Sequence, residues 1–179
     1  MLLEPFRAYV APCYRVKFAT EAWEFQDSRA LRRAVFCEEQ GVFAEDDADP
    51  VDAYALPIVA VDLVIDQPNA VVGAVRIHEE GPAVWWGSRL AVAQRYRRVG
   101  ALGAGLIRVA VGSAKAMGCR QFFAHVQAQN RPLFERLHWE VLEPLELRGR
   151  PHWLMQADLD QYAPIPSPEL GVPLRARAA

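Results

Sequence analysis

The chain has 179 residues and a formal net charge of −2, with 52% hydrophobic and 23% charged residues. A chain this long buries about 70% of the surface its unfolded form exposes, so one domain is expected and a disordered or collagen-like chain is excluded. The near-neutral charge gives no electrostatic footprint for nucleic acid. Of the 20 basic residues only Lys17 and Lys115 are lysines. Cys13, Cys37 and Cys119 are too scattered for a disulfide framework, and His78, His125, His138 and His152 show no metal-ligand spacing, so no metal is expected. Glu4, Arg7 and two prolines break the opening segment before a secretory apolar region can form, and no apolar run approaches the ~20 residues that cross a membrane. A cytoplasmic protein without membrane or nucleic-acid partners is the expectation.

Strands and helices alternate along the chain. Residues Tyr14 to Ala19 alternate as a strand. A helix capped by Thr20 or Asp27 runs to Glu39, with Leu31, Ala34 and Val35 on one face and Arg29, Arg32 and Arg33 elsewhere. An acidic, turn-rich segment, GVFAEDDADPVD, follows. Pro57–Ile65 and Val71–His78 are strands joined by the DQPN turn, and Ala83–Val92 is apolar almost throughout, as a strand covered on both faces should be. Leu102, Leu106, Val109, Ala110, Ser113 and Met117 form a helical stripe ending at Gly118. A strand over CRQFFAHV, a short helix from Asn130 to Leu137, and strands near Trp139–Leu142 and Trp153–Leu159 complete the body. Adjacent strands mixed with crossover helices mean an α/β or α+β fold with a mixed sheet. Residues 1–160 are expected to form the single domain, and 161–179 a proline-rich C-terminal tail, extended or disordered, that can pack along the domain surface.

The chemistry concentrates in Ser88–Val111, where a buried strand feeds an Arg-rich, Gly-rich turn that opens a helix. Unpaired amides at a helix N-terminus suit a phosphate-like anion. Gly100 and Gly103 allow close backbone approach, and Arg97 and Arg98 supply cations. A capped helix with a solvated basic face has the same composition.

LAVAQRYRRVGALGAGLI resembles motif A of the GNAT acyltransferase superfamily, R/Q-x-x-G-x-G/A, through Arg97, Arg98, Val99 and Gly100; Leu102 stands where Gly or Ala is usual, and Gly103 follows one residue late. LRRAVFCEEQ followed by DADPVD resembles the R-x-x-V-F-x-x-E-Q…D-x-x-D signature of a small bacterial branch, through Arg32, Val35, Phe36, Glu39, Gln40, Asp49 and Asp52. VQAQNRPLFERLHW is similar to motif B through Val126 and Asn130, with Phe134 and Trp139 near its aromatic positions. The resemblance spans Tyr14 to Leu159. It implies a GNAT-like fold, a central mostly antiparallel sheet flanked by helices, with acetyl-CoA or another acyl-CoA as co-substrate. It would place Leu90, Ala91 and Val92 against the pantetheine arm, the loop Arg97, Arg98, Val99, Gly100, Ala101, Leu102 and Gly103 around the pyrophosphate, and Asn130 and Phe134 beside the cofactor's distal arm.

Acyl transfer to an amine needs a neutral nitrogen, a polarised carbonyl and a fate for the thiolate. Relatives place a carboxylate on the strand before the loop and a tyrosine on the motif-B helix. This chain has no carboxylate from Ala83 to Val92 and has Phe134 at the tyrosine position. Glu39, beside the expected acceptor cleft, and His125, alternating with Phe123 and Gln127, are the catalytic candidates. Asp49 and Asp52 can orient Arg32 or an amine, or be solvated. The cysteines lack an activating sequence partner. Trp85 and Trp86 are read as packing residues. The expected activity is N-acetylation of a small amine by direct attack, with a homodimer possible. The alternatives are an acyl-homoserine-lactone-synthase-like enzyme fed by an acyl carrier protein, and a non-catalytic acyl-CoA-binding domain.

Overall fold

The computed structural model describes residues 13–176. The opening segment examined for a leader and the last three residues of the tail lie outside them. The elements run β1 (Cys13–Phe18), α1 (Ala22–Arg33), β2 (Leu56–Val64), β3 (Gln67–Gly81), β4 (Val84–Val92), α2 (Ala101–Ala116), β5 (Gln121–Gln127), α3 (Arg131–Arg136), β6 (Trp139–Leu147), β7 (Arg150–Ala157) and β8 (Val172–Arg175). One mixed sheet has the order β6-β7-β5-β4-β3-β2-β1-β8. All its pairings are antiparallel except β4–β5, which is parallel because α2 crosses between them. This is the mostly antiparallel, helix-flanked sheet that the resemblance implied.

Local chemistry sets the boundaries. At the start of α1 the buried Glu24 carboxylate accepts from the backbone N–H of Thr20 (2.7 Å) and Glu21 (3.1 Å) and pairs with Lys17 at 2.8 Å. The helix therefore begins between the two expected caps, because a carboxylate one turn inside satisfies the free amides. From Ala34 to Glu39 the helix widens into a π turn, in which Gln40 N–H reaches Val35 O at 3.0 Å. Such widened turns gather at functional sites. The β2–β3 hairpin turns at Ile65 and Asp66, both at positive φ, so the tight turn precedes the expected DQPN centre by two residues.

The main core lies between the sheet and α2, where Leu102, Leu106, Val109 and Val111 meet Val75, Ile77, Trp85 and Phe122. On the opposite face α1 and its π turn pack over β2, β3 and β4 through Leu31, Val35 and Phe36. No helix is long and apolar enough to cross a membrane among the described residues.

Beyond residue 160 the chain packs on the domain as extended stretches, a short 3-10 turn at Pro168–Leu170 and the strand β8. Ile165 N–H donates to Gly112 O at 2.9 Å, and a Cβ at Gly112 would lie 2.7 Å from Ala163 O, so α2 needs a glycine where the chain crosses it. Lys115 donates to Leu159 O and Tyr162 O, and β8 then adds to the free edge of β1. Buried Tyr162 donates to Leu137 O at 2.5 Å and accepts from Trp139 Nε1 at 2.9 Å. Tyr162→Phe strips both partners of a hydrogen bond. It should cost about 1–3 kcal/mol in chemical denaturation.

Candidate functional site

β4 and β5 pair only from Val84–Gln121 to Gly87–Ala124. Beyond that point β4 continues to Val92 along β3, and β5 continues to Gln127 along β7, leaving two facing strand edges with no strand between them. A bulge helps to part them. Between Ala74 and Arg76 of β3, β4 spends an extra residue, and Arg89 there takes φ 57, a left-handed conformation that a β-carbon disfavours. Into this gap opens a cavity of about 390 Å³. Its walls include Trp86, Ser88, Leu90, His125, Asn130 and Phe134.

One sheet face furnishes the titratable lining. Arg76, His78 and Glu80 of β3 alternate onto it, His125 stands on β5, and His152 on β7. His152 Nδ1 is 2.9 Å from Arg150 O. A carbonyl only accepts, so Nδ1 carries the proton in that contact. His125 lies 4.9 Å from the Trp86 ring centre. It is exposed toward the cavity, yet the surrounding protein removes enough water to lower its pKa, and His152 adds to the effect. Burial also lowers the pKa of His78, with help from Arg76.

Above this face the acidic segment is locked down by three arginines. Arg32 holds Asp47 (2.7 Å) and Asp52 (2.6 and 3.0 Å). Arg76 grips both oxygens of Asp49 (2.7 and 2.6 Å), reaches Asp52 at 2.7 Å, and donates through Nε to Ser88 Oγ. Arg89 closes the set on Asp47 and Asp49. Burial alone would raise the pKa of Asp52, but hydrogen bonds from Arg32 and Arg76 outweigh it and hold the carboxyl well below the usual carboxylate range. Of the two open readings for Asp49 and Asp52, the structure has them orienting Arg32 and Arg76 rather than solvated. Arg76, Arg89 and Asp47 were missed. Their signal was a guanidinium inside an apolar stretch of each of two strands, Val71–Ile77 and Val84–Val92, which demands a buried counter-charge.

Under the gap, short turns carry the chain from Val92 into α2. Leu102, at a position expected to be small, is fully buried in the core, while a Cβ at Gly103 would lie 3.4 Å from Leu133 of α3. A Cβ at Gly100 would meet nothing within 4 Å, Ala101 opens α2, and Val99 packs against the core. Arg98 is exposed and has no ion-pair partner among the described residues. Arg97 is engaged instead: Nε donates to Val92 O, and its guanidinium grips the Glu39 carboxylate in a two-pronged pair. That pair lowers the Glu39 pKa. Glu39, expected beside the acceptor cleft, stands at the loop and not among the cavity walls, because the π turn swings the end of the helix toward Arg97. Ala91 packs with Val35 and Phe36, and buried Phe134 sits edge-on to Trp139. Leu90, His125, Asn130 and Phe134 are thus brought together at the cavity, with the Arg97–Gly103 loop outside its walls.

The sequence model of the acetyltransferase (GNAT) family matches residues 8–139. A Bacillus subtilis (strain 168) protein named as an acetyltransferase is 29% identical over 141 residues, 78% of this chain and 93% of its own. A solved Lactobacillus plantarum protein named as an N-acetyltransferase is similar at TM-score 0.72 and 24% identity, over 82% of this chain and 98% of that one. A chain of the NatC complex, solved with a Gag peptide and CoA, is similar at TM-score 0.66 and 17% identity, over 80% and 97%. At these identities the structural likeness carries the fold alone.

Replacing Asp52 with asparagine leaves Arg32 and Arg76 short of a counter-charge and should destabilise the protein by about 3 kcal/mol. Because the folded pKa of Asp52 is depressed, its contribution is complete above the ordinary aspartate value of about 3.9 and is lost as pH falls below it. Urea midpoints of the native protein should therefore drop on acidification across that range, and those of Asp52→Asn should drop less.

Proposed function

Because the chain belongs to the GNAT acetyltransferase family, we propose that it is an acyl-CoA-dependent N-acyltransferase, moving an acetyl group from acetyl-CoA to a small-molecule amine by direct attack. The observation that carries this reading is the parting of β4 and β5 over a cavity lined by imidazoles. The residues present fit an acyl-CoA. Open strand edges at Ser88–Val92 and His125–Gln127 offer backbone groups to the amides of a pantetheine arm, in the manner of an added strand. The first amides of α2 with exposed Arg98 suit a diphosphate. Arg97 contributes there through its tether to Glu39, which holds the loop against the end of the first helix. Asn130 and Phe134 border the same channel.

The thioester supplies an activated acyl carbon. An N–H on the open edge of β4 polarises its carbonyl. His125 takes the proton from the attacking nitrogen, and its lowered pKa keeps it neutral and able to accept at physiological pH. Phe134 offers no proton for the departing sulfur, and a thiol with an ordinary pKa near 8.5 leaves as thiolate without one.

Two measurements test the reading. Calorimetric titration with acetyl-CoA and CoA should show binding that weakens about tenfold in Arg98→Ala; absence of binding to the native protein overturns it. His125→Gln should lower kcat by about 100-fold or more. A neutral base is needed, so the native rate should fall on acidification with a midpoint below the ordinary imidazole value of about 6.5, and the variant should lose that limb.

A further inference from the structure

Two arginines converge on one ring at the roof of the cavity. Arg89 stands at 4.6 Å and Arg148 at 4.2 Å from the Phe43 ring centre. Both have backbones in the left-handed region, Arg89 at φ 57 in the β4 bulge and Arg148 at φ 49 in the β6–β7 turn. The β6–β7 turn joins Leu147 to Arg150 through Arg148 and Gly149, a place that suits asparagine, aspartate or glycine. An arginine is kept there at a conformational cost, as strained positions near functional sites are.

The two differ in how their charge is met. Arg89 is balanced by Asp47 and Asp49, and the set Arg32, Arg76 and Arg89 against Asp47, Asp49 and Asp52 is neutral. Arg148, exposed at the cavity wall, sets its guanidinium over the Phe43 ring and has no carboxylate within ion-pair distance among the described residues. One lining anion is equally unmatched: Glu80, which acts electrostatically on both His78 and His125. Resting on the acyl-transfer reading above, we infer that the acceptor is an amino-carboxylate, an amino acid or a close analogue, whose carboxylate pairs with Arg148 and whose amine faces the imidazoles near Glu80. A single surplus guanidinium matches one carboxylate in charge and in its two-pronged hydrogen-bond geometry. Contact with the Phe43 ring keeps the guanidinium beside the cavity.

The test compares L-amino acids with their own carboxamides as acceptors, CoA release from acetyl-CoA being read with a thiol reagent. At least one acid should be used with kcat/KM about 10- to 100-fold above its carboxamide. Arg148→Asn, which suits the left-handed turn and so preserves the hairpin, should bring that ratio close to one, and Arg148→Lys should restore part of it. Carboxamides or simple amines used as well as acids, or a ratio that survives Arg148→Asn, overturns the inference and leaves the acyltransferase reading standing. If no amine releases CoA, the acyl-transfer reading fails. The same acids and carboxamides are then titrated calorimetrically: a preference for the acid that Arg148→Asn abolishes upholds the carboxylate site, and equal or absent binding overturns it.

Discussion

Three guanidiniums locked to three aspartates hold the working face of this protein in place. Arg32 comes from the first helix, Arg76 and Arg89 from adjacent strands, and all three aspartates from a segment with almost no regular structure. Each charge is tolerable under that segment only because the others are there. The consequence is positional. A segment rich in aspartate, which would otherwise be a solvated loop, is pinned across the sheet and sets Val42 and Phe43 into the cavity wall. The network also helps to explain why Arg89 tolerates a left-handed backbone, since four of its contacts are polar and directed at Asp47 and Asp49.

The parting of β4 and β5 follows from what each strand must satisfy on its other edge. β4 stays in register with β3 to Val92 by absorbing a bulge, and β5 stays with β7 to Gln127. A parallel pair held only through four residues cannot keep two strands together when both are committed elsewhere. Gly87 stands at the last paired position, where a Cβ would lie 3.0 Å from the Phe122 ring. The gap is therefore what two better pairings leave behind rather than a structure built for its own sake.

Much of this could be read along the chain, because it depends on neighbours. Stripes such as Leu102, Leu106 and Val109 locate α2, and the alternation of Phe123, His125 and Gln127 puts His125 on an open face. The family likeness added the mostly antiparallel, helix-flanked sheet. Contacts distant in sequence escaped. Glu39 and Arg97 are 58 positions apart, and Arg76 and Asp49 are 27 apart, so nothing local tells a salt bridge from a solvated charge. The π turn, which carries Glu39 away from the cavity, has no compositional mark. His152 stood in plain view on a predicted strand boundary, but its orientation depends on a carbonyl two residues back.

β8 lies beside β1, so the first and last strands described are partners, joined by antiparallel register between Cys13–Val16 and Val172–Arg175. During synthesis the outer edge of β1 stays unpaired until Val172–Arg175 has been made. Among the described strand pairs this one joins the residues most distant in sequence, although loop-closure entropy grows only slowly with length. Until then an open strand edge is available to a neighbouring nascent chain, a hazard that the short, proline-bearing β8 removes without presenting a long edge of its own.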